Sequence, residues 1–264
     1  MPGIIQLGPL VIASDRLLAL ALIMAFLFGF DRIAARFGLQ ARTGGLALAG
    51  GIVAARLAYV LAHYDAFAQD WASVLAIWEG GFSGPAGFLG AAAIIAWRVR
   101  HRVALLRSLA MLGALAALWF AGSSLLSPAP RPMPDLPQMV HLEGRPFDPS
   151  ALEGQPYVMN LWATWCPPCR RELPMLAQEA ARTDVPILLV SQGEDAGTVQ
   201  AYLERQGISG EAVLLDDASG LSLVVGSTAL PTTVFVDARG RIVETQFGQL
   251  SRAALADGLA RIMD

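Results

Sequence analysis

Cysteine is almost absent from this chain of 264 residues, and the two cysteines that occur, Cys166 and Cys169, are three positions apart. Two cysteines cannot form the several bridges of a disulfide scaffold, and they supply too few thiolates for a structural zinc site. We therefore expect no metal site, and all the thiol chemistry of the chain is confined to one short motif.

Charged side chains are also scarce. They make up 16% of the residues, against 55% hydrophobic residues and a mean hydropathy of +0.50. In soluble proteins about a quarter of all residues are charged, so part of this chain is expected to lie in lipid. Residues 1–127 hold nine arginines against five acidic residues (net +4), and residues 128–264 hold ten against seventeen (net −7). The acidic second part has no clustered basic face, which makes nucleic acid an improbable partner.

The first part contains four apolar stretches: Leu10–Phe30, Leu46–Tyr64, Pro85–Val99 and Val103–Leu126. Each is short or interrupted by a polar residue, which is typical of membrane helices that pack against each other. A cleavable signal peptide is the alternative for the first stretch. It lacks a basic leader and a small-residue cleavage site, so a retained helix is predicted. We expect an all-α transmembrane domain of about four helices over residues 1–127.

The arginines between these helices indicate their orientation. The second connection, from Asp65 to Glu79, has no arginine, whereas the first and third connections have three each: Arg32, Arg36 and Arg42, then Arg98, Arg100 and Arg102. Arginine-rich loops stay in the cytoplasm. Four spans then place both termini outside, which predicts a multi-pass protein of a bacterial inner membrane with residues 128–264 in the periplasm.

Two sequence segments of the membrane part occur in the same order as in a known protein family. They are Gly51 to Tyr59, which includes Arg56, and then Ile77 to Gly90 with its Trp-Glu-Gly-Gly motif. Over residues 4–100 the chain resembles a truncated prolipoprotein diacylglyceryl transferase. The family's essential histidine would fall at Gly84-Pro85, where there is none. Acyl transfer by this half, without a general base, is thus a minor alternative function. Arg56 and Tyr59 are candidates for contact with membrane lipid or a partner protein, and simple anchoring is the other interpretation.

A Pro-rich linker is predicted over residues 128–137, because five of the eleven residues from Ser127 to Pro137 are proline. As polyproline II, at about 3.1 Å per residue, it would span roughly 30 Å.

Short β-rich runs then alternate with amphipathic segments, which predicts an α/β domain over residues 138–264. The strands are expected at Tyr157–Ala163, Pro186–Ser191, Val213–Leu215, Thr232–Asp237 and Arg241–Gln246, and the helices at Pro168–Arg182, Gly197–Gln206 and near Leu255–Ile262. The nearly all-apolar Tyr157–Ala163 is expected to be a central buried strand.

The dithiol motif Cys166-Pro167-Pro168-Cys169 directly follows that strand. Two cysteines at i and i+3 that open a helix can close a small ring, and the first sulfur then sits at the helix N-terminus. There the free N–H groups and the helix dipole stabilise a thiolate. Proline is tolerated in a first helical turn, because its missing N–H would be unpaired anyway.

The segment from Asn160 to Cys169 resembles the thioredoxin-fold disulfide reductases of the TlpA and ResA type. Further matches are the helix-kinking Pro174, the strand Leu230–Asp237 with its leading proline, and an insertion at Gln192–Asp217. Glu172 matches the family's acidic residue three positions after the second cysteine, and Asn160 stands where cytoplasmic thioredoxins carry a buried aspartate. The resemblance implies a thioredoxin-like fold.

The resemblance also implies a role for each residue. Cys166, expected to be exposed, attacks a partner disulfide, and the more buried Cys169 resolves the mixed disulfide. Glu172 accepts the proton of Cys169, unless it is only an exposed helix carboxylate. A cis-proline, Pro231, presents a backbone edge to the substrate, and the neighbouring positions are expected to bind it: Trp165, Pro167, Pro168, Leu230 and Thr232.

The predicted function is a membrane-tethered thiol–disulfide oxidoreductase that reduces protein disulfides, with the Cys166–Cys169 disulfide as its redox group and no other cofactor. An oxidase of the DsbA type is the alternative, although the Cys-Pro-Pro-Cys loop lacks the histidine of strong oxidants. One extracytoplasmic dithiol cannot relay electrons across a bilayer. A transmembrane electron donor of the DsbD or CcdA type is therefore expected.

Overall fold

The computed structural model describes residues 4–7, 10–40, 42–69, 71–126, 129–227 and 229–263. The chain divides into two compact units, Met1–Pro128 and Ala129–Asp264.

The first unit is mainly helical. Its elements are β1 (Ile4–Leu7), β2 (Leu10–Ala13), α1 (Ser14–Phe37), α2 (Arg42–Ala62), α3 (Tyr64–Ala68), α4 (Gly84–Arg98) and α5 (Arg102–Leu126), with 3-10 turns at Trp71–Leu75 and Ile77–Glu79. The first apolar stretch differs from its prediction, because Leu10–Ala13 pairs with β1 in an antiparallel hairpin and the helix begins only at Ser14. β-Branched side chains in this run favour a strand, and serine favours a helix start.

Among the described residues, three helices are long and apolar enough to cross a membrane: Arg16–Phe37, Arg42–Ala62 and Arg102–Leu126. The third predicted stretch, Pro85–Val99, forms α4, which has only 15 residues. At 1.5 Å per residue this is about 22 Å, less than the roughly 30 Å of a bilayer core.

Small residues bring α4 against α2. A side-chain carbon added to Gly90 would lie 3.2 Å from the carbonyl oxygen of Gly50, and one added to Gly87 would lie 3.2 Å from the Cβ atom of Ala55. The order of these contacts shows that the two helices are antiparallel. Close backbone approach is how helices associate in lipid, where no hydrophobic effect drives them together.

Helices α1 and α5 are antiparallel as well, because Gly29 lies against Met111 while Gly122 lies against Leu18. The four long helices thus alternate in direction. The arginine-rich connections α1–α2 and α4–α5 meet at one end of the bundle, and α5 ends at Leu126 on the opposite end.

The second unit is built on a seven-stranded mixed sheet in the order β3-β9-β8-β5-β6-β7-β4. Its strands are β3 (Arg131–Pro132), β4 (Val140–His141), β5 (Tyr157–Trp162), β6 (Ile187–Gln192), β7 (Val213–Asp216), β8 (Thr232–Val236) and β9 (Arg241–Phe247). Its helices are α6 (Pro167–Ala180), α7 (Ala196–Gln206), α8 (Gly220–Val225) and α9 (Arg252–Met263), with a 3-10 turn at Pro149–Leu152. Strands β5, β6 and β7 are parallel, and the other pairs are antiparallel.

The central strand β5 is buried on both faces, as predicted. Val158 and Trp162 belong to a core cluster with side chains of α6, α7 and α9, while Met159 and Leu161 belong to a second cluster with α8. This alternation follows from the two-residue period of a strand. The α/β architecture is thus confirmed.

Part of the segment predicted as a linker is instead a strand of this sheet. Arg131 and Pro132 pair with Ile242 and Arg241 of β9, and the backbone N–H of Met133 donates to the carbonyl oxygen of Gly240. Proline is compatible with this place because an edge strand has N–H groups that need no partner in the sheet. Arg131 and Pro132 are therefore not part of a free linker.

Candidate active site around the Cys166–Cys169 disulfide

Cys166 and Cys169 form a disulfide at the N-terminus of α6. Cys166 is the N-cap residue, and its sulfur accepts a hydrogen bond from the backbone N–H of Cys169 at 3.4 Å. Pro167 and Pro168 fill the first helical turn, as their chemistry favours. The first sulfur thus lies where unpaired N–H groups of the helix concentrate positive potential.

Both cysteines are buried in the disulfide form. Cys166 is 3% exposed and Cys169 is fully buried. The prediction that Cys166 is exposed is therefore wrong for this state, because both residues pack into the core cluster beside Leu173 and Leu176. Three residues next to the two cysteines in sequence are exposed: Trp165, at 68%, Pro167 and Arg170.

The sheet brings the Pro231 segment to the same edge as the dithiol. Strand β8 begins directly after Pro231, and Thr232 pairs with Leu161 near the end of β5. The Leu230–Pro231 peptide bond is cis. Pro231 itself is buried, whereas Leu230 is half-buried.

A cavity of about 500 Å³ lies next to the dithiol loop. Trp165 and Leu230, both predicted to bind substrate, line it together, and Leu223 of α8 forms an exposed apolar rim. The remaining lining residues are Gln192, Ala218, Ser219, Ser222 and Ser227. An apolar rim with several polar groups can hold an extended peptide.

Thr232 does not reach this cavity with its side chain. It is fully buried, and its hydroxyl lies 2.7 Å from both the carbonyl oxygen of Ala229 and the hydroxyl of Ser227. These bonds turn the Thr232 hydroxyl into the loop before β8, and a contact of this residue with substrate stays a prediction.

Glu172 is 2% exposed and lies on α6 one turn after Cys169. Its Oε1 accepts a hydrogen bond of 2.8 Å from Nδ2 of Asn160, and its Oε2 accepts one from the backbone N–H of Leu250. Asn160 also donates to the hydroxyl of Thr233 at 3.0 Å. The alternative of an exposed helix carboxylate is therefore wrong, since this carboxyl group accepts N–H bonds on both oxygens inside the core.

Glu194 is a residue of the site that sequence reasoning missed. Its carboxylate accepts hydrogen bonds from the backbone N–H of Thr164 at 2.8 Å, from the Thr164 hydroxyl, and from the hydroxyl of Ser191 at 3.0 Å. Thr164 lies two residues before Cys166. The contact follows from the parallel pairing of Trp162 with Ser191. Residues that follow paired parallel strands, here Thr164 and Glu194, meet at the same edge of the sheet.

A buried polar network supports the far wall of the cavity. Gln192 donates to Asp216 at 3.0 Å and accepts from the hydroxyl of Ser222 at 2.7 Å. Asp216 also accepts the backbone N–H groups of Gly220 and Leu221 at the start of α8. These bonds fix the short helix that carries Leu223.

Among the described side chains of this unit, four have shifted pKa values: those of Asp148, Asp195 and Asp237 are lowered, and that of Tyr157 is raised. Hydrogen bonds from Thr198, at the start of α7, hold the pKa of Asp195 below its usual value. Burial raises the pKa of Tyr157 at the start of β5. Within the described ranges, no three histidine, cysteine, aspartate or glutamate side chains lie together as a metal site would require.

In the membrane part, Arg56 is 7% exposed and donates hydrogen bonds to four backbone carbonyl oxygens. They belong to Ser73 (2.6 Å), Val74 (3.0 Å), Gly80 (2.6 Å) and Gly81 (3.0 Å). Gly80 and Gly81 have φ values of 80° and 77°, which glycine adopts without steric cost. Arg56 therefore holds the α3–α4 connection against α2.

Tyr59 is half-buried, and its ring lies 4.2 Å from that of His63 and 6.2 Å from that of Phe67. That Arg56 and Tyr59 contact lipid or a partner protein remains a prediction.

Residues 2–125 match the family model of prolipoprotein diacylglyceryl transferase, and residues 128–259 match that of Redoxin. Thiol-disulfide oxidoreductase ResA of Halalkalibacterium halodurans is 33% identical over 42% of this chain and 64% of its own length. A thiol:disulfide interchange protein DsbE homolog of Paracoccus denitrificans is 35% identical over 36% of this chain and 52% of its own length. The chain thus spans about half to two thirds of these relatives.

A solved thioredoxin-family thiol:disulfide interchange protein from Chlorobium tepidum TLS is 27% identical, covering 52% of this chain and 99% of that chain with a TM-score of 0.45. The second unit has the thioredoxin-like α/β fold that its sequence predicts, with the dithiol at the N-terminus of the helix after the central strand. The Redoxin match covers half of all residues, so this chain belongs to the Redoxin family.

Proposed function

We propose that the chain is a membrane-tethered thiol–disulfide oxidoreductase that reduces disulfides in other proteins. The observation that carries this proposal is the Cys166–Cys169 disulfide at the N-terminus of α6, beside a cavity lined by Trp165 and Leu230. The relatives named for thiol–disulfide exchange support it.

The reaction begins from the dithiol form. The thiolate of Cys166 attacks one sulfur of a substrate disulfide, the substrate bond breaks, and a mixed disulfide forms while the second substrate sulfur leaves as a thiolate. Cys169 then attacks the sulfur of Cys166, which releases the first substrate sulfur as a thiolate and closes the Cys166–Cys169 disulfide. Two electrons pass from the dithiol to the substrate.

Cys166 needs access to the substrate, although it is buried when oxidised. Reduction breaks the bond to Cys169, so rotation of the Cys166 side chain can bring its sulfur to the cavity. The helix N-terminus then stabilises its thiolate. Trp165 and the exposed Pro167 flank the sulfur, and Leu230 faces the same cavity. We propose that these residues receive the substrate segment, with the backbone at Pro231 beside it.

Glu172 is proposed as the proton acceptor for Cys169. It lies one helical turn after that cysteine, and both residues are at most 2% exposed. A thiol sealed from water needs a nearby base before it can attack a mixed disulfide. A buried carboxylate also opposes a nearby thiolate, which destabilises the dithiol form and favours a reductase over an oxidase.

The electrons must come from another protein. The chain holds two cysteines in one motif and therefore cannot itself carry electrons across a membrane. A transmembrane donor of the DsbD or CcdA type would reduce the Cys166–Cys169 disulfide after each turnover.

We place the dithiol unit on the periplasmic side of a bacterial inner membrane. The arginine-rich connections share one end of the helix bundle, and α5 ends at the other. Positively charged loops remain in the cytoplasm, so the segment after Leu126 leaves the membrane outside.

Alkaline phosphatase fusions measure this orientation, because the enzyme becomes active only outside the cytoplasm. Fusions after Pro137 should be active, and fusions after Gln40 or His101 should be at least about tenfold less active, since these two residues lie between positively charged flanks. Immunoblots control for the amount of each fusion. The reverse pattern would place the dithiol in the cytoplasm and contradict the proposal.

A further inference from the structure

A second cavity, of about 530 Å³, lies at the arginine-rich end of the helix bundle. The α1–α2 connection forms one side, with Gly38, Leu39, Gln40 and Thr43, and the α4–α5 connection forms the other, with Trp97, Arg98, Val99, Arg100 and His101. Neither the dithiol chemistry nor the Arg56 contacts involve these residues.

The charge around this cavity has one sign. Residues 32–42 and 98–107 contain seven arginines and no acidic residue. Arg98 donates a hydrogen bond of 3.1 Å to Gln40, and its guanidinium carbon lies 5.7 Å from the ring centre of Trp97. Arg100 and His101 are exposed beside it. An anion that enters the cavity meets several cationic donors.

His101 adds a further donor. Its Nδ1 accepts the backbone N–H of Ala104 at 3.3 Å. A ring nitrogen that accepts a hydrogen bond carries no proton, so the proton of the neutral ring is on Nε2. His101 therefore carries its ring N–H on Nε2 and adds a donor to the residues that line the cavity.

The position of the cavity relative to the membrane indicates which kind of molecule supplies the anion. It lies at the ends of helices long and apolar enough to span a membrane, and Trp97 is 64% exposed at this level. Tryptophan is enriched where lipid headgroups meet the hydrocarbon, and basic cavities between helices at that depth bind acidic headgroups. We propose that this cavity binds the phosphate of an anionic phospholipid. The inference depends on the helices lying in a membrane and not on the redox function.

Native mass spectrometry of the detergent-solubilised full chain tests this proposal with dioleoyl phosphatidic acid, dioleoyl phosphatidylcholine and inorganic phosphate as separate probes. Wild-type protein should bind phosphatidic acid more tightly than phosphatidylcholine, which has the same acyl chains. The double variant Arg98→Ala, Arg100→Ala should bind phosphatidic acid at least about tenfold more weakly, since each arginine near a headgroup contributes about 1 kcal/mol.

Two control variants show whether a loss of lipid affinity comes from the missing charge at this cavity or from a change of charge or folding elsewhere in the protein. Arg16→Ala removes an arginine from the other end of α1 and should leave the affinity within about twofold, because acidic headgroups act over only a Debye length. Arg98→Lys, Arg100→Lys keeps both charges and should retain most of the binding. Equal loss in Arg16→Ala, equal binding of phosphatidylcholine, or displacement of the lipid by millimolar inorganic phosphate would overturn the proposal.

Discussion

Cys169→Ser should convert the protein into a trap for its substrates. Cys166 can still attack a substrate disulfide, but no second thiol remains to resolve the product, so mixed disulfides should accumulate. Steady-state reduction of a disulfide substrate should fall by at least about a hundredfold, since the resolving step loses its nucleophile. Non-reducing gels of cells that express the full-length variant, followed by mass spectrometry, would identify the trapped proteins.

Cys166→Ser is the matched control, because it removes a sulfur three residues away and keeps the same helix. It should trap nothing, since Cys169 is fully buried and offers no surface to a substrate. Equal adduct formation by both variants, or no adduct and no alkylation of Cys166 in the reduced protein at neutral pH, would contradict the assignment of Cys166 as the attacking thiol.

Glu172→Gln should slow the resolution of the mixed disulfide on the order of a hundredfold, the usual range for the loss of a proton acceptor. The amide places an N–H donor where Asn160 and the backbone of Leu250 now donate. We therefore also expect a loss of about 1–3 kcal/mol in the free energy of unfolding. Stopped-flow kinetics of the preformed mixed disulfide, with denaturant unfolding in parallel, would separate the two effects.

Glu179→Gln tests whether the loss of any carboxylate on α6 has this effect. Glu179 is on the same helix and pairs with Arg252. This variant should resolve the mixed disulfide at the wild-type rate. A wild-type rate in Glu172→Gln as well would show that Glu172 is not the proton acceptor.

A double exchange, Asn160→Asp with Glu172→Gln, moves the carboxylate from α6 to the facing strand β5. The introduced amide on α6 can then donate to the introduced carboxylate on β5, while the amide oxygen accepts from the backbone N–H of Leu250, so stability should recover. The resolution rate should recover only if a carboxylate on β5 can also reach the Cys169 thiol.

Local patterns predicted much of the second unit, because its strands and helices have distinct periods and the dithiol opens a helix. The bounds of β5, β6, β8, α6 and α7 differ from the predicted ones by one or two residues. Helix α8 was missed since it has six residues and its first turn is held by Asp216, a partner that no local pattern reveals. The strand at Arg131–Pro132 was missed because proline density indicates a linker unless the edge of a sheet is known.

Side-chain roles were harder to predict than elements. The cysteines and Pro231 follow from a short motif and its resemblance, whereas the partners of Glu172 lie 12 and 78 residues away in sequence. Glu194 acts on Thr164 across 30 residues. The burial of Cys166 was not predicted either, because exposure depends on how α6 packs and not on its sequence.

The reduction potential of the Cys166–Cys169 couple in the full-length protein tests the central claim most directly. Equilibration with dithiothreitol and glutathione buffers, followed by thiol alkylation and mass measurement, gives the oxidised fraction at each potential. The buried Glu172 carboxylate and a loop without histidine predict a value near that of thioredoxin, about −270 mV, as a reductase requires. A value near −120 mV, typical of the oxidant DsbA, would show that the protein introduces disulfides and would contradict its proposed function as a reductase.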